Sequence, residues 1–218
     1  MKNRTLTELI DSTDSAWSLI HTWLAHAKNN YQILPGTETA KAHTLLKLQV
    51  TTRSPMGAIA FHCGGILFDY GWLRFLGSGN SNISGNLLSW NKYLDMGVEP
   101  QLKDALIIAY DVIGGFFAIN GGAFKGTQGN IFYLAPDTLE WEDMEKTYSD
   151  FLYWAIVGDL ALFYQNARWH SWEEEVLKLK GEEGFSIYPP LWAKGEAVEA
   201  RSRKVVPISS LWKLHMEF

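Results

Sequence analysis

The chain has 218 residues, 47% of them hydrophobic and 20% charged, so it can bury a substantial core and hide roughly 70% of its unfolded surface. A net charge of −5 excludes a general nucleic-acid binder, which needs a basic face, and the lone Cys63 excludes an internal disulfide, pointing to a reducing, cytoplasmic setting. Thr7, Glu8 and Asp11 interrupt the early apolar residues, so no signal-peptide core is expected. No run of about 18 apolar residues offers a membrane span.

The first element is read as a helix capped by Asp14, with Trp17, Ile20, Leu24 and Ala27 on one stripe. Pro35-Gly36 interrupts it, and a second helix is expected over residues 37–48. The period then changes. Residues 57–62 read as a short strand, followed by extended segments at 66–69 and 72–76. Gly77 to Asn82 form a loop, and a short amphipathic helix over 85–94 carries Leu87, Trp90 and Leu94. The Asn82-Ile83-Ser84 sequon falls in this polar turn region.

Residues 106–110 are the clearest buried strand, closed by Asp111, and strands at 116–119 and 130–134 follow after short gaps. Such gaps join antiparallel neighbours, because a parallel crossover takes a dozen residues or more. From residue 147 the period is helical again to about 166. Ser171 with Glu174 marks the start of another helix through 180. Residues 184–192 are extended by their prolines, 194–204 read as a mobile loop, and a last helix covers 209–215. The sum is one α+β domain over residues 1–218. Helices occupy 5–48, a curled antiparallel sheet of about five or six strands fills the core at 57–134, and a helical part spans 147–218.

Catalytic and cofactor signatures are missing from the pattern. Six histidines are scattered without HExxH or CxxC spacing, so no metal site is expected. Gly77-x-Gly79 lacks the third glycine of a dinucleotide loop, and Gly121 to Gly126 lack the ordered phosphate-loop sequence, so no cofactor is expected either. No GxSxG elbow is present, and the carboxylate runs at 140–145 and 173–175 read as solvated helix starts. Three polar features stand out: Arg53 in Thr51-Thr52-Arg53-Ser54-Pro55, Asp69 and Arg74 flanking Gly71-Trp72, and Asp111 at the end of the most apolar strand. Polar groups beside buried strands form turns, pair with one another (Asp69 with Arg74, for instance) or serve a site.

The runs Leu48 to Ala60, Gly71-Trp72-Leu73-Arg74-Phe75-Leu76-Gly77-Ser78-Gly79, Phe117 to Gly122, Ala135 to Trp141, Tyr148 to Leu152 and Gly184 to Trp192 resemble the bacterial domain-of-unknown-function family 2625 over nearly the whole chain. Asn120-Gly121-Gly122, Gly129-Asn130-Ile131-Phe132-Tyr133, Trp141-Glu142 and Ser149-Asp150-Phe151-Leu152 occur in an order similar to the second half of the SUKH superfamily. That likeness implies an α+β fold and a role in binding protein partners, often as an immunity protein against a toxin.

The leading expectation is therefore a non-enzymatic protein-binding domain. Its surface would be an exposed sheet face with the loops 77–86 and 120–129, and its candidate contacts are Trp72, Trp90, Trp141 and Asn120. Two rivals stand beside it: an enzyme or small-ligand binder using Arg53, Asp69 and Arg74, and a homodimeric scaffold.

Overall fold

The computed structural model describes residues 3–92 and 102–217. Nine α-helices and nine strands are described, in the order α1 (Leu6–Leu9), α2 (Ala16–Leu24), β1 (Tyr31–Leu34), α3 (Glu38–Leu48), α4 (Pro55–His62), β2 (Gly65–Phe68), β3 (Leu73–Leu76), α5 (Leu87–Trp90), β4 (Ala105–Asp111), β5 (Phe116–Asn120), β6 (Ile131–Leu134), β7 (Trp141–Asp143), α6 (Tyr148–Val157), α7 (Leu160–Phe163), α8 (Trp172–Val176), β8 (Glu183–Tyr188), β9 (Ser202–Pro207) and α9 (Ile208–Met216).

Strands β1 to β7 form one open, antiparallel seven-stranded sheet in strict chain order. Leu67 pairs with Arg74, Arg74 with Tyr110, and Tyr110 with Phe116, which places Arg74, Tyr110 and Phe116 on one face. Phe75, Ala109, Phe117 and Tyr133 pair in turn on the other face. A bulge between Ile107 and Ala109 resets the register within β4. β8 and β9 make a separate antiparallel hairpin.

Both sheet faces are covered, which corrects the expectation of an exposed one. All four residues of β3 and of β6 are buried. On one face Phe151 of α6 stacks on Phe75 and lies against Phe117, with ring centres 5.0 and 4.7 Å apart. On the other face Trp212 of α9 meets Phe116 edge-on at 4.8 Å, and Trp90 packs against the same ring at 5.4 Å. Strands buried on both sides read as continuous apolar runs, which is why residues 106–110 carry so clear a signal.

The segment 57–62, read as a strand, is the C-terminal part of α4. Ser54 caps this helix by accepting from the Gly57 amide at 3.1 Å, and Pro55 occupies its first turn. Gly57, Ala58, Ile59 and Ala60 are all buried, so the helix has no polar face to reveal its 3.6-residue period. Gly57 is needed for close approach, because a Cβ there would collide with the Thr51 carbonyl.

Other boundaries move as well. Ser15 rather than Asp14 caps α2, accepting from the Trp17 amide. The helix expected over 147–166 is two helices, α6 and α7, divided by extended Gly158 and by Asp159, whose side chain caps α7. β1, β7 and β9 were not anticipated. The residues read as a mobile loop at 194–204 hold a 3-10 turn and the start of β9, so the part after residue 147 is not wholly helical. Leu94, expected at the end of α5, lies outside the described residues.

Candidate functional site

The structure gives Arg53, Asp69 and Arg74 separate partners. Arg53 is exposed, and its Nε donates to Asp11 Oδ2 at 2.7 Å. The Asp14 amide, the Thr13 hydroxyl and amide, and Arg53 together hold the Asp11 carboxyl well below the usual carboxylate range. Asp69 pairs with Arg168, not with Arg74. Asp69, Tyr70 and Gly71 have φ of 55°, 60° and 92°, a run of left-handed residues of which two are not glycine. That backbone points the Asp69 carboxylate at a guanidinium stacked 3.9 Å from the Trp172 ring centre, 4.8 Å from Trp72 and 5.0 Å from Tyr164. Arg74 is 3% exposed, and it donates from Nε to Gly71 O at 2.9 Å and from Nη1 to Gly181 O at 2.6 Å.

The candidate anchors sit at different depths. Trp72 is fully buried, and Trp90 is nearly so, donating from Nε1 to Ser84 O at 2.6 Å. Trp141 is half-buried and stacks on Phe124 at 4.5 Å. Asn120 is buried and organises the loop that follows it. Its Oδ1 accepts from the amides of Gly122 and Phe124, and its Nδ2 donates to Phe124 O and Thr127 O.

The most site-like geometry lies beside the Asp111 turn. A cavity of about 200 Å³ opens between β6, β7 and α7, and its walls include Tyr133, Tyr164, Phe163, Asp137, Glu142 and Asn166. An adjoining hollow bounded by Phe185, Ile187, Trp192, Leu211 and His215 shares Ile113, Pro136 and Leu191 with it, so the two form one trough. Beneath the larger end lies Asp111. Its Oδ1 accepts from the Gly115 and Ile113 amides at 2.7 and 3.1 Å, and its Oδ2 accepts from the Tyr133 hydroxyl at 2.9 Å. Burial pushes the Asp111 carboxyl up to about 6, against the pull of those three bonds. The Tyr164 hydroxyl is buried beside the same carboxyl and adds to that pull.

The trough's electrostatics are one-sided. Asp137 and Glu142 are exposed at its larger end, and among the described residues no lysine or arginine lines either hollow. His215 donates to Gly114 O at 2.8 Å, and burial lowers its pKa, which keeps the ring neutral at pH 7. Cys63 is not poised as a nucleophile: burial raises its thiol to about 12, and its Sγ donates to Ile59 O. Among the described residues no three His, Cys, Asp or Glu side chains converge to hold a metal ion.

Sequence reasoning singled out Asp111 but missed Tyr164 and Arg168. Both lie in the region after α7, where the only signal was an arginine set among aromatics, Tyr164, Arg168, Trp169 and Trp172.

Residues 6–211 match the family described as "Protein of unknown function DUF2625". The chain is 44% identical over 215 residues to the "Putative uncharacterized protein YbfG" of Escherichia coli (strain K12), covering 98% of this chain and 96% of that one. It is 35% identical over 211 residues to an "Uncharacterized protein" of Haemophilus influenzae, covering 95% and 91% respectively. No described helix is long and apolar enough to cross a membrane. With a match this extensive, the chain belongs to the DUF2625 family.

Proposed function

We propose that the protein is a non-enzymatic binding domain that receives a basic segment of a protein partner in the trough beside the Asp111 turn. The observation that carries this reading is the trough's lining: aromatic and aliphatic walls with two carboxylates at one end and no cationic side chain. Phe163, 38% exposed on the wall, and its neighbour Leu162, 59% exposed, supply apolar contact at the rim. The SUKH-like order of the motifs from Asn120 to Leu152 favours a toxin-neutralising role, in which an acidic trough meets a basic toxin surface.

Reversing the rim charge tests this. Purified chain carrying Asp137→Lys with Glu142→Lys is expected to capture its partner from host extract at least about tenfold less well than wild type. A Glu173→Lys control on α8 is expected to capture it normally. Equal capture by all three proteins would remove the trough from the account. Light scattering on the same samples separates capture of a partner from self-association.

A further inference from the structure

Arg74 presents a second, independent feature. It is among the most buried charged side chains of the protein, yet among the described residues no carboxylate lies within 4 Å of it. Three other arginines differ in this respect: Arg53 pairs with Asp11, Arg168 with Asp69, and the Arg203 Nε lies 3.7 Å from Glu175, whereas the less buried Arg201 also donates to main-chain carbonyls. A charge withdrawn from water without a counter-charge is among the costliest arrangements in a fold. The Gly71 and Gly181 carbonyls meet two of its five N–H donors and contribute only partial charge, and the Tyr110 hydroxyl lies beside the guanidinium as a further neutral acceptor. The Tyr110 ring, 6.0 Å from the guanidinium, contributes its π face.

Arg74 also borders a surface groove of about 250 Å³ together with Gln32, Leu67, Tyr70, Asn82 and Leu177, and among the described residues no acidic side chain lines that groove. Gln32 and Asn82 are exposed amides at its mouth. Tyr70 and Leu177 stand 39% and 65% exposed beside it, a clustering of apolar surface that water does not favour. A positive charge with no carboxylate partner among the described residues, two exposed amides, and the side chains of Leu67, Tyr70 and Leu177 beside them match a ligand that joins one negative charge to a short apolar body.

We infer that this groove is a binding site for a monocarboxylate with an apolar tail, its carboxylate held by Arg74 and its tail lying between Tyr70, Leu67 and Leu177. A carboxylate in the groove would accept from the N–H groups that the Gly71 and Gly181 carbonyls leave, and the planar fork of arginine suits this group. The site lies on the Arg74 face of the sheet and uses no residue of the trough, so the two proposals stand or fall separately.

The test is calorimetric titration of the full chain with hexanoate, with hexylamine and inorganic phosphate as counter-probes. Hexanoate is expected to bind in the millimolar range or tighter and hexylamine not at all, with phosphate weaker than hexanoate because it has no tail. Leu177→Asp puts a negative charge at the exposed rim without disturbing the core, and it is expected to weaken hexanoate at least about tenfold. Arg74→Met is expected to abolish binding, and where that variant does not fold, Leu177→Asp decides the matter. The Asp137→Lys, Glu142→Lys protein is expected to bind hexanoate as wild type does. Absence of hexanoate binding, equal binding of hexylamine or phosphate, or indifference to Leu177→Asp would overturn the assignment.

Discussion

At Asp111 two effects of opposite sign meet on one side chain. Desolvation disfavours its charged form, while the amides of Gly115 and Ile113 and the Tyr133 hydroxyl favour it. Desolvation wins, leaving the folded carboxyl at about 6 against a reference value of 3.8. A folded pKa raised above the unfolded one gives stability that is complete below the unfolded value and is lost as pH rises through the folded value. The difference in unfolding free energy between wild type and Asp111→Asn is thus expected to shift against wild type from pH 4 to pH 7, by on the order of 2 kcal/mol. Urea unfolding of both proteins across that range checks it, and a difference independent of pH would refute the assignment. The sequence marked Asp111 as odd because it ends an apolar strand. Its burial was not legible there, because it comes from Tyr133 and Tyr164, 22 and 53 positions further along the chain.

At the scale of elements, the left-handed turn from Asp69 to Gly71 is tied to the segment after α7 by the Asp69–Arg168 pair, and the rings of Trp72, Tyr164 and Trp172 surround that guanidinium. The pair is largely withdrawn from water, its side chains 15% and 8% exposed. Removing one partner leaves the other charge stranded, so Arg168→Ala is expected to cost roughly 3–5 kcal/mol. Replacing both, with Asp69→Asn and Arg168→Met, is expected to recover a large part of that loss in thermal unfolding. Equal destabilisation by the single and double changes would show that ring packing, not charge, dominates here. Helix starts and stops were legible where local chemistry marked them, as at residues 37–48. α4 was misread although Ser54 and Pro55 announce it, because a helix buried on every side shows the apolar run of a buried strand. β7 went unseen because Trp141-Glu142-Asp143 is a charged edge strand without the usual apolar signal.

Over the whole molecule, the sheet's central strands are covered on both sides. The chain's aromatic wealth is accordingly spent largely inside: Trp72 and Trp90, which composition alone offers as surface anchors, are core residues. Antiparallel order and α+β class were readable from gap lengths and changes of period. The trough was not, since its walls come from the Asp111 turn, β6, β7, α7, the β8–β9 hairpin and α9, which only folding brings together. The described surface carries an acid-rimmed trough and a groove bordered by a buried arginine, the two places proposed for recognition. The most direct measurement of the central claim places a photo-reactive residue at Asn166, on the trough wall, and cross-links it in the native host. The account predicts an adduct to one protein at a segment rich in lysine or arginine, with no such adduct when the probe replaces exposed Glu38 on α3. Adducts indistinguishable between the two positions, or an adduct at Asn166 to an acidic segment, would contradict it.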